Sequence, residues 1–170
     1  FEDGGEIPRE CGYKHGNKAP PLTFSGFPKG TKTLALIMDD PDAMGAVGKV
    51  WVHWVVWNIS DPGNTMGPES TSIDDLKDWE GELCSEITII DDGDSSTPTE
   101  LAVAGMTDFG EVGYGGPAPP DKRHTYVFKL YALDTKLDLP QESTKADVEK
   151  AMEGHIIEQA TLKGTYTPDR

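Results

Sequence analysis

Short runs of β-branched, aromatic and aliphatic residues recur along the chain, each soon cut off by glycine, proline or a polar cluster. Such punctuated runs read as strands, here Thr33 to Asp39, Val50 to Ile59, Ile87 to Ile90, Leu101 to Ala104 and Thr125 to Leu133. Several are apolar at successive positions, as in a central sheet covered on both sides. One segment has a different period. From about Lys145 to Ala160, Val148, Met152, Ile156 and Ala160 repeat every four residues, with Thr144 as N-cap and Asp147 at the capping-box position. A helix packing one face on the sheet is expected there, ended by Gly164, with Thr165 to Thr167 as a short terminal strand.

Composition supports this mainly β reading. Gly (19) and Pro (13) punctuate a chain of 170 residues without linkers or repeats, which fits a single domain over residues 1–170. The segment Asp91 to Glu100 is acidic and Ser-rich without a run of apolar residues, and reads as a solvated hairpin tip or loop. Cys11 and Cys84 are too few for a disulfide scaffold and are expected to be free thiols. The longest apolar runs, Leu34 to Met38 and Trp54 to Trp57, fall far short of the roughly 20 residues that cross a bilayer. Phe1 opens the sequence without an initiator Met or a basic-then-apolar leader. A cytoplasmic protein is expected, with secretion left open because the N-terminus reads as that of a processed or trimmed product.

A formal charge of −15 repels polyanions, so nucleic acid and stable membrane association are disfavoured. An anionic ligand must then be held locally. Three segments concentrate the groups that could hold one. Asp39-Asp40-Pro41-Asp42 lies at the end of a strand, where the plain reading is a turn. Trp51, His53, Val55 and Trp57 share one face of the next strand, and a core His bonded to backbone is the plain reading of His53. Tyr114-Gly115-Gly116-Pro117-Ala118-Pro119-Pro120-Asp121-Lys122-Arg123-His124-Thr125-Tyr126 is a rigid loop feeding a strand, with His124 and Tyr126 on one face and paired glycines allowing close backbone approach. Two His, an Asp pair, a Tyr hydroxyl and bare glycine backbone together could form an anion cage, since His⁺, N–H and O–H all donate. Zinc-type spacings, a Gly-x-Ser-x-Gly elbow and a Gly-rich phosphate loop are absent.

Asp40-Pro41-Asp42-Ala43, Trp51-Val52-His53-Trp54 and Tyr114-Gly115-Gly116-Pro117 through His124-Thr125-Tyr126 resemble the two signature regions of the phosphatidylethanolamine-binding protein family. Ile7-Pro8, Gly16-Asn17, Ala19-Pro20-Pro21-Leu22, Asp108-Phe109-Gly110 and Tyr131-Ala132-Leu133-Asp134 resemble its bacterial and archaeal, Raf kinase inhibitor-like branch. The resemblance implies a large sheet packed with a smaller one plus a helix near the C-terminus. It also implies a pocket for phosphate-like or acetate-like anions or lipid head groups, formed by Asp40, Asp42, Trp51, His53, Gly115, Gly116, His124 and Tyr126. Two positions depart from the family pattern: Met44 replaces the usual Pro after Asp-Pro-Asp-Ala, and Ala118 replaces a frequent Cys. The Ala43–Met44 bond is expected to be trans, with the thioether filling space the proline ring would take. The longer acidic middle segment has no family counterpart.

The function expected is a non-catalytic binding or regulatory module with a small-anion pocket, an inhibitor of a kinase or protease among its roles. A homodimer stays open, and no cofactor or metal is expected. The alternatives are a hydrolase or lyase using a His/Asp pair in the same pocket, and a metal-binding or structural role.

Overall fold

The computed structural model describes residues 1–20, 22, 28–59 and 102–169. The expected strand at 87–90, the acidic segment 91–100 and Cys84 lie outside them. Strands β1 (Thr33–Asp40), β2 (Trp51–Ile59), β3 (Val103–Ala104), β4 (His124–Leu133) and β5 (Ile156–Tyr166) form a five-stranded sheet in the order β3-β2-β1-β4-β5. Neighbouring strands are antiparallel throughout. Among the described residues, pairing outside this sheet consists of isolated bridges, Glu6 with Thr165 and Met106 with Val112.

Strand β1 is central and buried at every position, as its unbroken apolar run requires. Leu34, Leu36 and Met38 face one apolar cluster with Trp54, Val56, Tyr126, Phe128 and Leu130. Ala35 and Ile37 face the other, with Val55, Trp57, Leu133, Val148 and Met152. Burial of each large side chain contributes roughly 1.5–3 kcal/mol, so two covered faces anchor the middle of the sheet firmly.

The sequence reading placed Trp51, His53, Val55 and Trp57 on one face. The structure corrects this. The β1–β2 register steps from Met38↔Trp54 to Asp39↔Val52, leaving His53 as an extra residue. Such a bulge interrupts the two-residue alternation. Trp54 and Val56 therefore join the first cluster, while Val55 and Trp57 join the second.

Helix α2 is the second correction. It spans Lys145–Met152 rather than continuing to Ala160, although the expected capping box is present, Thr144 and Asp147 each holding the other's backbone N–H. Gly154, at φ +79°, reverses the chain, and Ile156 begins β5. A four-residue spacing is an even number, so Ile156 and Ala160 satisfy a strand's period of two as well as a helix's; β-branched Ile156, Ile157 and Thr161 then favour the strand. Val148 and Met152 do pack on the sheet, in the cluster of Trp57.

Between β1 and β2, Ala43–Val47 form the short helix α1. Every peptide bond among the described residues is trans, Ala43–Met44 included. Met44, however, is 54% exposed. The expectation that its thioether fills space at a pocket wall is thus not met, because the helical turn directs it to solvent.

Candidate functional site

Where β1 ends, successive carboxylates leave on opposite sides of the sheet, as strand geometry dictates. Asp40 belongs to the side of Met38, Tyr126 and His53. Its Oδ1 accepts from the Ala43 N–H (3.1 Å), fixing the turn into α1, and its Oδ2 lies 2.6 Å from His124 Nδ1. Asp42 Oδ2 accepts from the Thr125 N–H at 2.7 Å and so ties the turn to β4. The turn reading of this segment therefore holds, and the same turn brings Asp40 against His124.

The fully buried His124 ring sits between carboxylates: its other nitrogen, Nε2, is 2.8 Å from Asp121 Oδ1. With acceptors on both sides, both ring nitrogens must carry protons. Burial pulls the pKa of His124 down, but the hydrogen bonds and charges of Asp40 and Asp121 outweigh it, and the net shift is upward. Asp121, held by that imidazolium, is shifted down. His124 is thus a cation already spoken for.

His53 is the opposite case. Its Nδ1–H donates to the carbonyls of Gly115 (2.7 Å) and Gly116 (3.1 Å), leaving Nε2 as the ring's free lone pair. The rings of Phe109 (5.3 Å) and Tyr126 (5.0 Å) stand edge-on to it. Burial among them lowers its pKa, against weaker opposition from the Gly115 carbonyl and Asp40. The Tyr126 hydroxyl is buried without a well-formed hydrogen bond among the described residues, and burial, then the negative charge of Asp40, pushes its pKa up, while a loose contact with the Ala118 backbone opposes the rise. Trp51 Nε1–H is likewise buried and unpaired, and the Trp51 ring meets Phe109 at 5.5 Å.

The paired glycines have roles other than the one expected. A Cβ on Gly115 would lie 2.4 Å from Phe109, and one on Gly116 would lie 2.0 Å from the Cys11 carbonyl oxygen. Their N–H groups are also occupied, Gly115 donating to His53 O (2.8 Å) and Gly116 to Asn17 Oδ1 (2.7 Å). These glycines let two chain segments touch, and they present no free donor to a ligand. Of the cage groups expected from sequence, those without a well-formed hydrogen bond among the described residues are His53 Nε2, the Tyr126 hydroxyl and the Trp51 N–H.

The family model described as phosphatidylethanolamine-binding protein matches residues 1–167. The chain belongs to this family. A UPF0098 protein of Methanothermobacter thermautotrophicus is 42% identical, covering 98% of this chain and 93% of that protein. One from Chlamydia muridarum is 35% identical, covering 99% and 95%. Among solved structures, a phosphatidylethanolamine-binding protein homologue from Chlamydia trachomatis superposes with a TM-score of 0.72 at 34% identity, and YbcL of E. coli with 0.71 at 30%, each covering 99% of this chain and 94% of its own.

Within this family member the expected residues form one contiguous set, and three further ones complete it. Asn17, in the left-handed region at φ +53°, receives the Gly116 N–H and donates Nδ2 to Tyr114 O (3.1 Å). Phe109 stacks on Tyr13 at 4.4 Å and walls His53. Asp121 holds His124. The Gly16-Asn17 and Asp108-Phe109-Gly110 motifs and the three-residue spacing of Asp121 to His124 were the available signals; nothing in the sequence said which contacts they make.

Proposed function

We propose that this protein is a non-catalytic binding or regulatory module whose pocket takes a small anion of phosphate or carboxylate type, the chemistry of a lipid head group. A protein partner such as a kinase or protease would then be governed by that occupancy. The observation that carries the reading is the trio beside Asp40: the buried Trp51 N–H, with no partner among the described residues, the buried Tyr126 O–H, which has only loose contacts to Asp40 and the Ala118 backbone, and a histidine whose free nitrogen can take a proton. Orphaned indoles occur elsewhere, at Trp54 and Trp57, so the argument rests on Tyr126 and on the position of Trp51 near Phe109 and His53. The family name supports the same ligand class. Against catalysis stands the chemistry of the set: both nitrogens of His124 are engaged by carboxylates, and the Tyr126 hydroxyl, its pKa raised, is a poor nucleophile.

An anion meeting neutral His53 gains a third donor only if Nε2 is protonated. Binding therefore takes up a proton and weakens as pH rises. Phosphate and acetate should raise the melting temperature by mass action, more at pH 6 than at pH 8, about the ordinary histidine range. The His53→Gln, Tyr126→Phe double variant should lose that shift. A shift that survives in this variant, or that grows with pH, would overturn the reading.

A further inference from the structure

A concavity lies against the proline-rich loop. It encloses about 170 Å³ between residues 117–120, Lys14, His15, Tyr166 and Asp169. The loop is fixed there, since Tyr13 N–H donates to Pro117 O at 3.0 Å. Proline rings offer rigid apolar surface and no N–H that needs a partner. Cations gather around this wall in a chain whose net charge is −15. Arg9 Nη1 donates to Thr167 O (2.7 Å), its guanidinium carbon lies 4.9 Å over the Tyr166 ring, and Arg123 Nε donates to Thr167 Oγ1 (3.2 Å). The one acid in the lining is Asp169, whose carboxylate is held by Arg9 Nη2 and by His15 Nε2–H at 2.7 Å. Asp169 stays 44% exposed, so this contact is reachable from solvent and weakly held.

We propose that this cleft is a second ligand site, for a carboxylate-bearing ligand, with Asp169 as its built-in occupant. Nη2 of Arg9, at the edge of the cleft, and the imidazole of His15 in its lining converge on one carboxylate oxygen, Asp169 Oδ1, and so form a pair of donors suited to a carboxylate. An incoming Asp or Glu side chain of a peptide, or a free small carboxylate, takes over these donors while its apolar part lies on the proline wall and the Tyr166 ring. The lining includes none of the residues proposed to meet the central anion, so the two sites stand or fall separately.

The test titrates acetyl-Pro-Asp-amide into the full chain and its Asp169→Asn variant, followed by backbone amide NMR, with acetyl-Pro-Asn-amide and acetate in parallel. Saturable shifts at His15 and Tyr166 are expected, at least about five-fold tighter in Asp169→Asn, since a built-in occupant reduces apparent affinity by the fraction of cleft it leaves open. They should vanish in Arg9→Gln/Asp169→Asn and persist in His53→Gln/Asp169→Asn. Peptide binding tighter than acetate assigns a peptide ligand, and equal binding assigns a free carboxylate. Absence of saturable shifts in Asp169→Asn, equal shifts from the Asn peptide, or shifts unchanged on removing Arg9 would overturn the proposal.

Discussion

Asp39 and Asp40 are adjacent in the chain and both almost fully buried, yet they serve different faces of the sheet. On the helix face, Asp39 Oδ2 receives Lys129 Nζ (2.9 Å) from β4 and Lys145 Nζ (2.7 Å) from the first turn of α2, while Oδ1 is unpaired. On the site face, Asp40 spends both oxygens, one on backbone and one on a buried imidazolium. The lysines are partly in water, at 30% and 22% side-chain exposure, whereas His124 has none. A buried carboxylate can thus clamp a helix to a sheet or set the charge of a pocket. What separates the two is whether its cationic partner can fall back on solvent.

That contrast fixes the order of the largest effects. Asp40→Ala removes the buried one of the two carboxylates that hold His124 together with the acceptor of the Ala43 N–H, leaving the half-exposed Asp121, so its cost should approach the lower end of the about 3–5 kcal/mol of a broken buried pair. Asp39→Ala leaves lysines that swing into solvent, so its cost should fall nearer the roughly 1–3 kcal/mol of an unmade buried hydrogen bond. Chemical denaturation at neutral pH measures both. Equal costs, or the reverse order, would show that partner exposure does not govern the difference.

The site was legible in the sequence to the level of which residues gather, because Asp-Pro-Asp-Ala, the Trp and His of β2 and the Gly-Gly to His-Thr-Tyr segment are close to the family pattern. It was not legible which atoms remain free. One bulged residue at His53 moves Trp54 to Trp57 to the opposite faces, until a second register shift restores Ile59 to the first cluster, and no local propensity announces either. The glycines looked like a ligand cradle, but their missing side chains make room for Phe109 and the backbone at Cys11. The helix cap at Thr144 was readable, since a capping box is local. Its C-terminal end was not, since a four-residue repeat fits both periods until Gly154 decides.

The two buried histidines of the site sharpen the comparison as a matter of pH. His53 has a lowered pKa when folded, so below the ordinary imidazole range the unfolded chain binds more protons and stability falls with pH down through the lowered value. His124 has a raised pKa. Its contribution is complete below the unfolded value and is lost as pH rises through the folded one. These histidines together predict maximal stability near their ordinary range, with saturating phosphate flattening the acid limb alone, because the anion favours protonated His53. Melting temperatures collected from pH 5 to 9, roughly bracketing that range, with and without phosphate test it; an alkaline limb that responds to phosphate while the acid limb does not would refute the assignment.

The smallest effect isolates the exposed end of the same chain of groups. Asp121 is half-exposed where Asp40 is buried, yet both face the one ring, Asp40 at Nδ1 and Asp121 at Nε2. Asp121→Asn keeps the size of the side chain and removes its charge, so His124 loses one of the two carboxylates that raise its pKa and keeps the other. Solvent screening makes the stability change slight. The titration is the sharper readout: the His124 ring resonance should move with a midpoint below that of the wild type, on the side of the ordinary value, while that of His53 stays in place because its nitrogen answers to Gly115 and Gly116. An unchanged His124 midpoint would mean that Asp40 alone holds the proton, and a shift at His53 instead would mean that the charge of the surface carboxylate reaches the pocket by a route other than the ring it touches.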